Sequence, residues 1–171
     1  KHIDAIEQQE VKITRNDKLP VPATGLQELI WFNQQRNPKN TGYNIPVILD
    51  FDAEINIEAL HKTAAFLINK HPVYRTNFRF EGERLLQEVN PIDVDIIEFK
   101  DFSLLDEEKF NVQYPAFIKQ EASRSFDLQK DRLLKIAAIK KPESTFSLLF
   151  LIHHIIVDGA SVALLLKEFK E

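Results

Sequence analysis

Thr145-Phe146-Ser147-Leu148-Leu149-Phe150-Leu151-Ile152-His153-His154-Ile155-Ile156-Val157-Asp158-Gly159 is the stretch on which this chain turns. Residues 145–152 are predicted to form a strand that carries two histidines to its carboxyl end. A short apolar crossing follows, and Asp158 is placed to cap a helix that runs to the end of the chain. Imidazole held at a strand end is within reach of substrate, and its ordinary pKa of about 6.5 lets it exchange a proton near neutrality. Adjacent side chains on a strand face opposite sides, so one histidine is the reactive candidate and the other is packed or structural. The plain alternative is that both rings belong to the core. A metal site is disfavoured, because adjacent strand residues diverge and no third ligand follows from the spacing.

Outward from this stretch, Leu133 to Ile139 is a second predicted strand, joined to the first across Lys140-Lys141-Pro142-Glu143. Ser103 to about Ser125 is expected to be helical in parts and broken at Pro115. Val94 to Phe99 is a short strand. Tyr74 to Phe80 and Arg84 to Val89 flank Glu81-Gly82-Glu83 as a hairpin. Asn56 precedes a helix whose buried stripe is Ile57, Leu60, Ala64, Phe66, Leu67 and Ile68, and His71-Pro72 ends it. Tyr43 to Phe51 is a further strand. Thr24 caps a helix, Gly25 to Gln35, with Leu26, Leu29, Ile30 and Trp31 expected to face a core. Residues 1–19 are expected to be a linker or leading segment. Strands and helices thus alternate without a repeat, which predicts an α/β fold with a mixed sheet.

Composition narrows the function. The chain has 171 residues, 44% of them hydrophobic and 28% charged, as expected of one globular domain. A formal charge of −4 without any Lys/Arg block gives no reason to expect a nucleic-acid or anionic-membrane partner. There are no cysteines, which excludes disulfides, Cys-ligated zinc and a thiol nucleophile, and is compatible with a cytoplasmic location. The longest apolar run, Leu148 to Val157, is far shorter than a membrane span, and the start does not resemble a signal peptide. The absence of methionine and an end inside a predicted helix suggest a piece of a longer polypeptide.

His153-His154-x-x-x-Asp158-Gly159 resembles the signature of condensation domains of nonribosomal peptide synthetases and of the wider superfamily that includes chloramphenicol acetyltransferase. Three other segments are similar to further motifs of that family, in its order. Pro22-Ala23-Thr24-Gly25-Leu26-Gln27-Glu28-Leu29-Ile30-Trp31 resembles the first condensation motif. Lys70-His71-Pro72-Val73-Tyr74-Arg75-Thr76-Asn77-Phe78 resembles the second, and Ser125-Phe126-Asp127-Leu128 resembles the segment before the catalytic strand. The match runs from about Pro20 to Glu171. Three residues depart from it. Leu29 and Lys70 stand where the family often has arginine, and Pro72 replaces a glutamate, so a carboxylate role there is lost.

The resemblance implies a mixed-sheet lobe of a chloramphenicol acetyltransferase-like fold, residues 20–171, forming half of a two-lobe, V-shaped condensation domain whose C-terminal lobe is absent. It implies amide-bond formation between carrier-bound aminoacyl or peptidyl thioesters, the chemistry of antibiotic biosynthesis. His154 takes the catalytic position, with His153, Asp158, Gly159 and Arg75 as structural residues of the site. Arg75 is expected on a strand beside the catalytic one, in a direct ion pair with Asp158. The resemblance also implies that no metal or cofactor is bound directly, because the phosphopantetheine belongs to the carriers. The implied partners are donor and acceptor peptidyl carrier domains, the C-terminal lobe and an adjacent adenylation domain. The isolated lobe is expected to be inactive. An epimerization lobe, a noncatalytic docking module and an acyltransferase with a soluble acceptor are the alternatives.

Overall fold

The structure, a computed structural model, describes residues 20–91 and 96–170. A short β1 (Val21–Pro22) leads into α1 (Gly25–Arg36), β2 (Asn44–Phe51) and α2 (Ile57–Lys70). The hairpin of β3 (Thr76–Glu81) and β4 (Arg84–Val89) follows, then β5 (Ile97–Asp101) and α3 (Glu107–Ala122). β6 (Leu134–Lys140), β7 (Phe146–His153) and α4 (Gly159–Lys170) complete the fold. The larger sheet has the order β2-β7-β6-β5, with β5 parallel to β6 and the other neighbours antiparallel, so the fold is α/β with a mixed sheet. A second, antiparallel sheet has the order β1-β4-β3. The expected leading segment 1–19 and the start of the strand expected at Val94 lie outside the described residues.

β7 organises the core. It is flanked by β2 and β6 and covered on both faces, and every one of its residues is buried. A strand in that position must be apolar on both sides, which explains the unbroken run of Leu148 to Ile152. On one face Phe150 meets Phe169 of α4 edge-on, with ring centroids 4.9 Å apart. On the other, Leu149 joins Phe102, Ala137 and Ile139 in a cluster against Tyr114, Phe117 and Ile118 of α3.

α2 starts where the Asn56 side chain accepts the Ala59 N–H at 3.0 Å, and buries Leu60, Ala64, Leu67 and Ile68 at helical spacing. It stops at His71, before the Pro72 that opens a short 3₁₀ turn through Arg75. Lys70 Nζ donates to Glu168 of α4 at 2.8 Å, and His71 Nε2 lies 2.5 Å from the other oxygen of that carboxylate. Lys70 first, then His71, hold the Glu168 carboxyl below its usual range. Two residues of the second motif therefore tie α2 to α4.

Three expectations about side chains and one about a helix are corrected. Leu26 and Leu29, expected in the core, are 62% and 58% exposed, because α1 turns Ile30 and Gln34 inward instead. Phe66 is 63% exposed, lying off the stripe of α2 that faces the sheet. Pro115 does not break the helix over 103–125: it lies inside a continuous α3. Pro115 and Asn111, whose carbonyl loses its donor, are both exposed, so water can serve that carbonyl. Phe110, Tyr114, Phe117 and Ile118 meanwhile pin α3 to the sheet across the defect.

A proline inside a helix costs about 3 kcal/mol relative to alanine, partly offset by its restriction of the unfolded chain. Pro115→Ala is thus expected to stabilise the fold by about 1–3 kcal/mol, read as a higher urea midpoint at unchanged slope. An unchanged or lower midpoint would mean that the ring itself contributes packing that outweighs the missing bond.

Candidate functional site

At the end of β7 the two histidines part company. His153 is 0% exposed, whereas His154 is exposed. The backbone between them is held on both sides: His153 N–H donates to Leu133 O at 2.9 Å, toward β6, and His154 N–H donates to Tyr43 O at 2.8 Å, just before β2. Ile155, Ile156 and Val157 are buried and anchor the crossing that follows. Gln27 of α1 ties this crossing down from outside, its Nε2 donating to Ile155 O at 3.2 Å. Gln27 is itself oriented by a capping box, in which its Oε1 accepts the Thr24 N–H at 2.9 Å.

The His153 ring is sandwiched by aromatic neighbours, with centroids 5.6 Å from Phe126 and 6.0 Å from Tyr43. Its Nδ1 accepts the Ile155 N–H at 3.2 Å, which leaves the proton of the neutral ring on Nε2. Burial, and secondarily the adjacent His154, push its pKa down from 6.5 to about 4. His153 is therefore a neutral, packed ring.

Asp158 caps α4. Its carboxylate accepts both the backbone N–H of Ser161 at 2.8 Å and the Ser161 hydroxyl at 2.7 Å, and its carbonyl accepts from Val162 N–H at 3.0 Å. The Ser161 hydroxyl, followed by the Ser161 backbone, holds the Asp158 carboxyl below its usual range. Gly159 opens the helix, and a Cβ built there meets no atom within 4 Å, so the backbone faces open space. His154, Asp158 and Ser161 share a shallow cleft of about 220 Å³ with Thr24, Leu26 and Gln27 of the α1 start. The arrangement presents one imidazole to an approaching ligand over a fixed loop and a helix amino terminus.

The expected pair between Arg75 and Asp158 does not form. Arg75 closes the 3₁₀ turn, and the strand after it, β3, belongs to the smaller sheet and not to that of β7. The mouth of the β3–β4 hairpin captures its guanidinium, Nη1 donating to Asn90 O at 2.6 Å, while Asn90 N–H returns a bond to Arg75 O at 2.9 Å. Arg75 lines a different cavity, with Asn77, Asn90 and Lys130, and the Asp158 carboxylate already has Ser161. Gln27 and Tyr43 bond to the histidine loop and Ser161 to Asp158 at its end, and no sequence pattern marks these roles apart from one. Thr24-x-x-Gln27 carried a signal, as the spacing of a capping box.

Comparison with known proteins fits this geometry. The family profile described as "Condensation domain" matches residues 18–171, and the chain belongs to that family. It is 27% identical over 150 residues to the chondramide synthase cmdD of Chondromyces crocatus, covering 88% of this chain and 4% of that protein. To tyrocidine synthase 2 of Brevibacillus parabrevis it is 26% identical over 151 residues, covering 88% of this chain and 4% of that protein. The fold is similar to the starter condensation domain of rhizomide synthetase RzmA, with a TM-score of 0.80 at 18% identity over 89% of this chain and 38% of that one. The first condensation domain of the calcium-dependent antibiotic synthetase gives a TM-score of 0.80 at 17% identity, over 91% of this chain and 38% of that one. This chain thus spans a small part of the synthetases and 38% of each of these two solved chains, as a lobe of the condensation fold does.

The buried imidazole makes stability depend on pH with a definite sign. Between pH 6.5 and about 4 the unfolded chain binds a proton at His153 that the folded chain refuses. Stability contributed above pH 6.5 is therefore lost as pH falls toward 4, by about 3 kcal/mol in all. Chemical denaturation across this range should show that slope, and His153→Asn, which keeps an acceptor near the Nδ1 position, should flatten it. An equally steep slope in the variant would assign the acid lability to other groups.

Proposed function

We propose that this chain, over residues 20–171, is the N-terminal lobe of a condensation domain that forms an amide bond between two carrier-bound thioesters, with His154 as the reacting side chain. The observation that carries this reading is the division of the histidine pair: one ring is buried and neutral, and the other stands exposed in a cleft on a loop held from both sides. Membership of the family supplies the reaction class.

In the proposed step the α-amine of the acceptor attacks the acyl carbon of the donor thioester. The C–N bond forms, the C–S bond breaks, and the proton lost by the amine passes to the His154 imidazole and from there to the departing pantetheine thiolate. Imidazole is the side chain suited to exchanging a proton near neutrality, which makes a positioned histidine a fit acceptor for it. Asp158 serves by holding the amino terminus of α4 and the end of the loop. Gly159 leaves room for the substrate arm to approach the backbone. Donor and acceptor carrier domains bring the substrates on phosphopantetheine. The C-terminal lobe supplies the opposite wall of the site, and an adenylation domain activates the monomers.

In a two-lobe enzyme containing this lobe, His154→Ala is expected to slow single-turnover condensation by about 10²–10⁴ with both carriers preloaded, and to leave the fold intact. A folded variant that reacts at the wild-type rate would move the chemistry to backbone positioning alone. The 171-residue chain by itself should form no amide from two loaded carriers, and measurable product would refute the need for a second wall.

Gly159→Ala separates stability from approach. The site has space for a Cβ at a helix position where alanine is favoured, so thermal stability should hold or rise by up to about 1 kcal/mol. Condensation in the two-lobe enzyme should nonetheless fall. Full activity in that variant would show that the substrate arm does not pass close to Gly159.

A further inference from the structure

His153 and Asn44 stand directly opposite each other where β7 pairs with β2. The His153 N–H is directed to β6, so this is a position at which β2 and β7 exchange no backbone bonds, and the side chains of such pairs approach within about 4.5–5.5 Å at Cβ. Each of the two residues carries one buried polar atom without a partner among the described residues: Nε2 of His153 and Oδ1 of Asn44.

These two atoms are chemically complementary. Because Nδ1 of His153 accepts from Ile155, Nε2 bears the proton and is a donor. The Asn44 amide is oriented by its other end, where Nδ2 donates to Ala122 O at 2.9 Å and to Arg124 O at 2.7 Å, at the carboxyl end of α3. Its oxygen is thereby fixed as a buried acceptor. A donor and an acceptor withdrawn from solvent on facing side chains, and making no direct bond, are the setting in which one internal water completes both.

We propose that Asn44 is the positioning residue of the histidine pair, its Oδ1 accepting the Nε2–H of His153 through one shared buried water while its Nδ2 anchors the end of α3. Asn44 thereby locks the tautomer of His153, and that tautomer is what lets Nδ1 receive the Ile155 N–H and hold the turn. The residue before it, Tyr43, gives its carbonyl to His154 N–H, so the first residues of β2 control both members of the pair. The bearing of this link on condensation rests on His154 being the reacting group, but the link itself does not.

The test is ring-nitrogen NMR on the histidine-labelled 171-residue chain at neutral pH, with no substrate present. In the wild type, His153 is expected as the pure Nε2–H tautomer, with an Nε2 proton protected from bulk exchange and in contact with a bound water. An Nδ1–H tautomer, or an Nε2 proton exchanging as fast as that of the exposed His154, would overturn the proposal without any variant. Asn44→Ala should lose the protected Nε2 proton and mix the tautomers. Asn44→Asp keeps the acceptor, loses the donors to α3 and adds a charge facing the ring, so it should retain the Nε2–H tautomer and raise the His153 pKa by about 1–3. If Asn44→Ala keeps the wild-type ring signals, or a folded Asn44→Asp leaves the His153 pKa in place, Asn44 anchors α3 only. None of these readouts uses amide formation, so they stand or fall separately from the assignment of His154.

Discussion

The site depends on a constraint at the end of one strand: β7 must leave the sheet while its last ring stays inside. His153 makes this possible. A neutral imidazole can sit among Phe126 and Tyr43 at the cost of one buried donor, and it returns an acceptor, Nδ1, to the Ile155 N–H that the turn would otherwise strand. With the ring packed and the backbone bonded to Leu133 on one side and Tyr43 on the other, the next side chain has only the outside to face. The exposure of His154 is thus a consequence of the burial of His153. Three buried aliphatic residues and the Asp158 cap then return the chain to a helix within a few steps.

This arrangement also explains why the site needs little from distant charges. The loop is held by backbone bonds, by buried side chains and by amides such as Gln27, whose Nε2 reaches Ile155 O from α1. Asp158 commits its carboxylate to Ser161, three residues along its own helix. Arg75 directs its guanidinium to the carbonyl of Asn90 across a hairpin mouth in the other sheet. An ion pair between the two would have to draw each away from a partner already at hydrogen-bonding distance. Local partners win because they are close in sequence or already paired by a strand register, and ordering them costs less chain entropy.

Much of this was legible in the sequence wherever a signal was local. The unbroken apolar run of β7, the Asn56 and Asp158 caps, the Gly82 turn and the stop at His71-Pro72 each state their structure within a few residues. Signals that depend on partners were not legible. Leu26 and Leu29 have the spacing of a buried face, yet α1 inserts Ile30 and Gln34, a choice made by what lies beneath it. Pro115 breaks helices on intrinsic grounds, but its exposed position and the aromatic face of α3 override that preference. The division of the strands between the mixed sheet and a second, smaller one follows from strand pairing, which no local pattern encodes. The same limit hid Asn44 and placed Arg75 beside the wrong strand, since both depend on which strands become neighbours.

The shape of the cleft sets what the lobe can do with its histidine. At about 220 Å³ and open to solvent, it holds one imidazole and a helix start, and encloses nothing. Aminolysis of a thioester needs the amine aligned, the oxyanion stabilised and water kept out, and these demands are met by surfaces on both sides of the reacting atoms. On the histidine side, the loop that carries His154 and the helix cap that follows it are both held by residues of this chain. The cleft itself stays open, so enclosure would have to come from a facing surface. The open cleft and the single imidazole that the burial of His153 turns outward are thus two outcomes of one local constraint, the way β7 leaves its sheet.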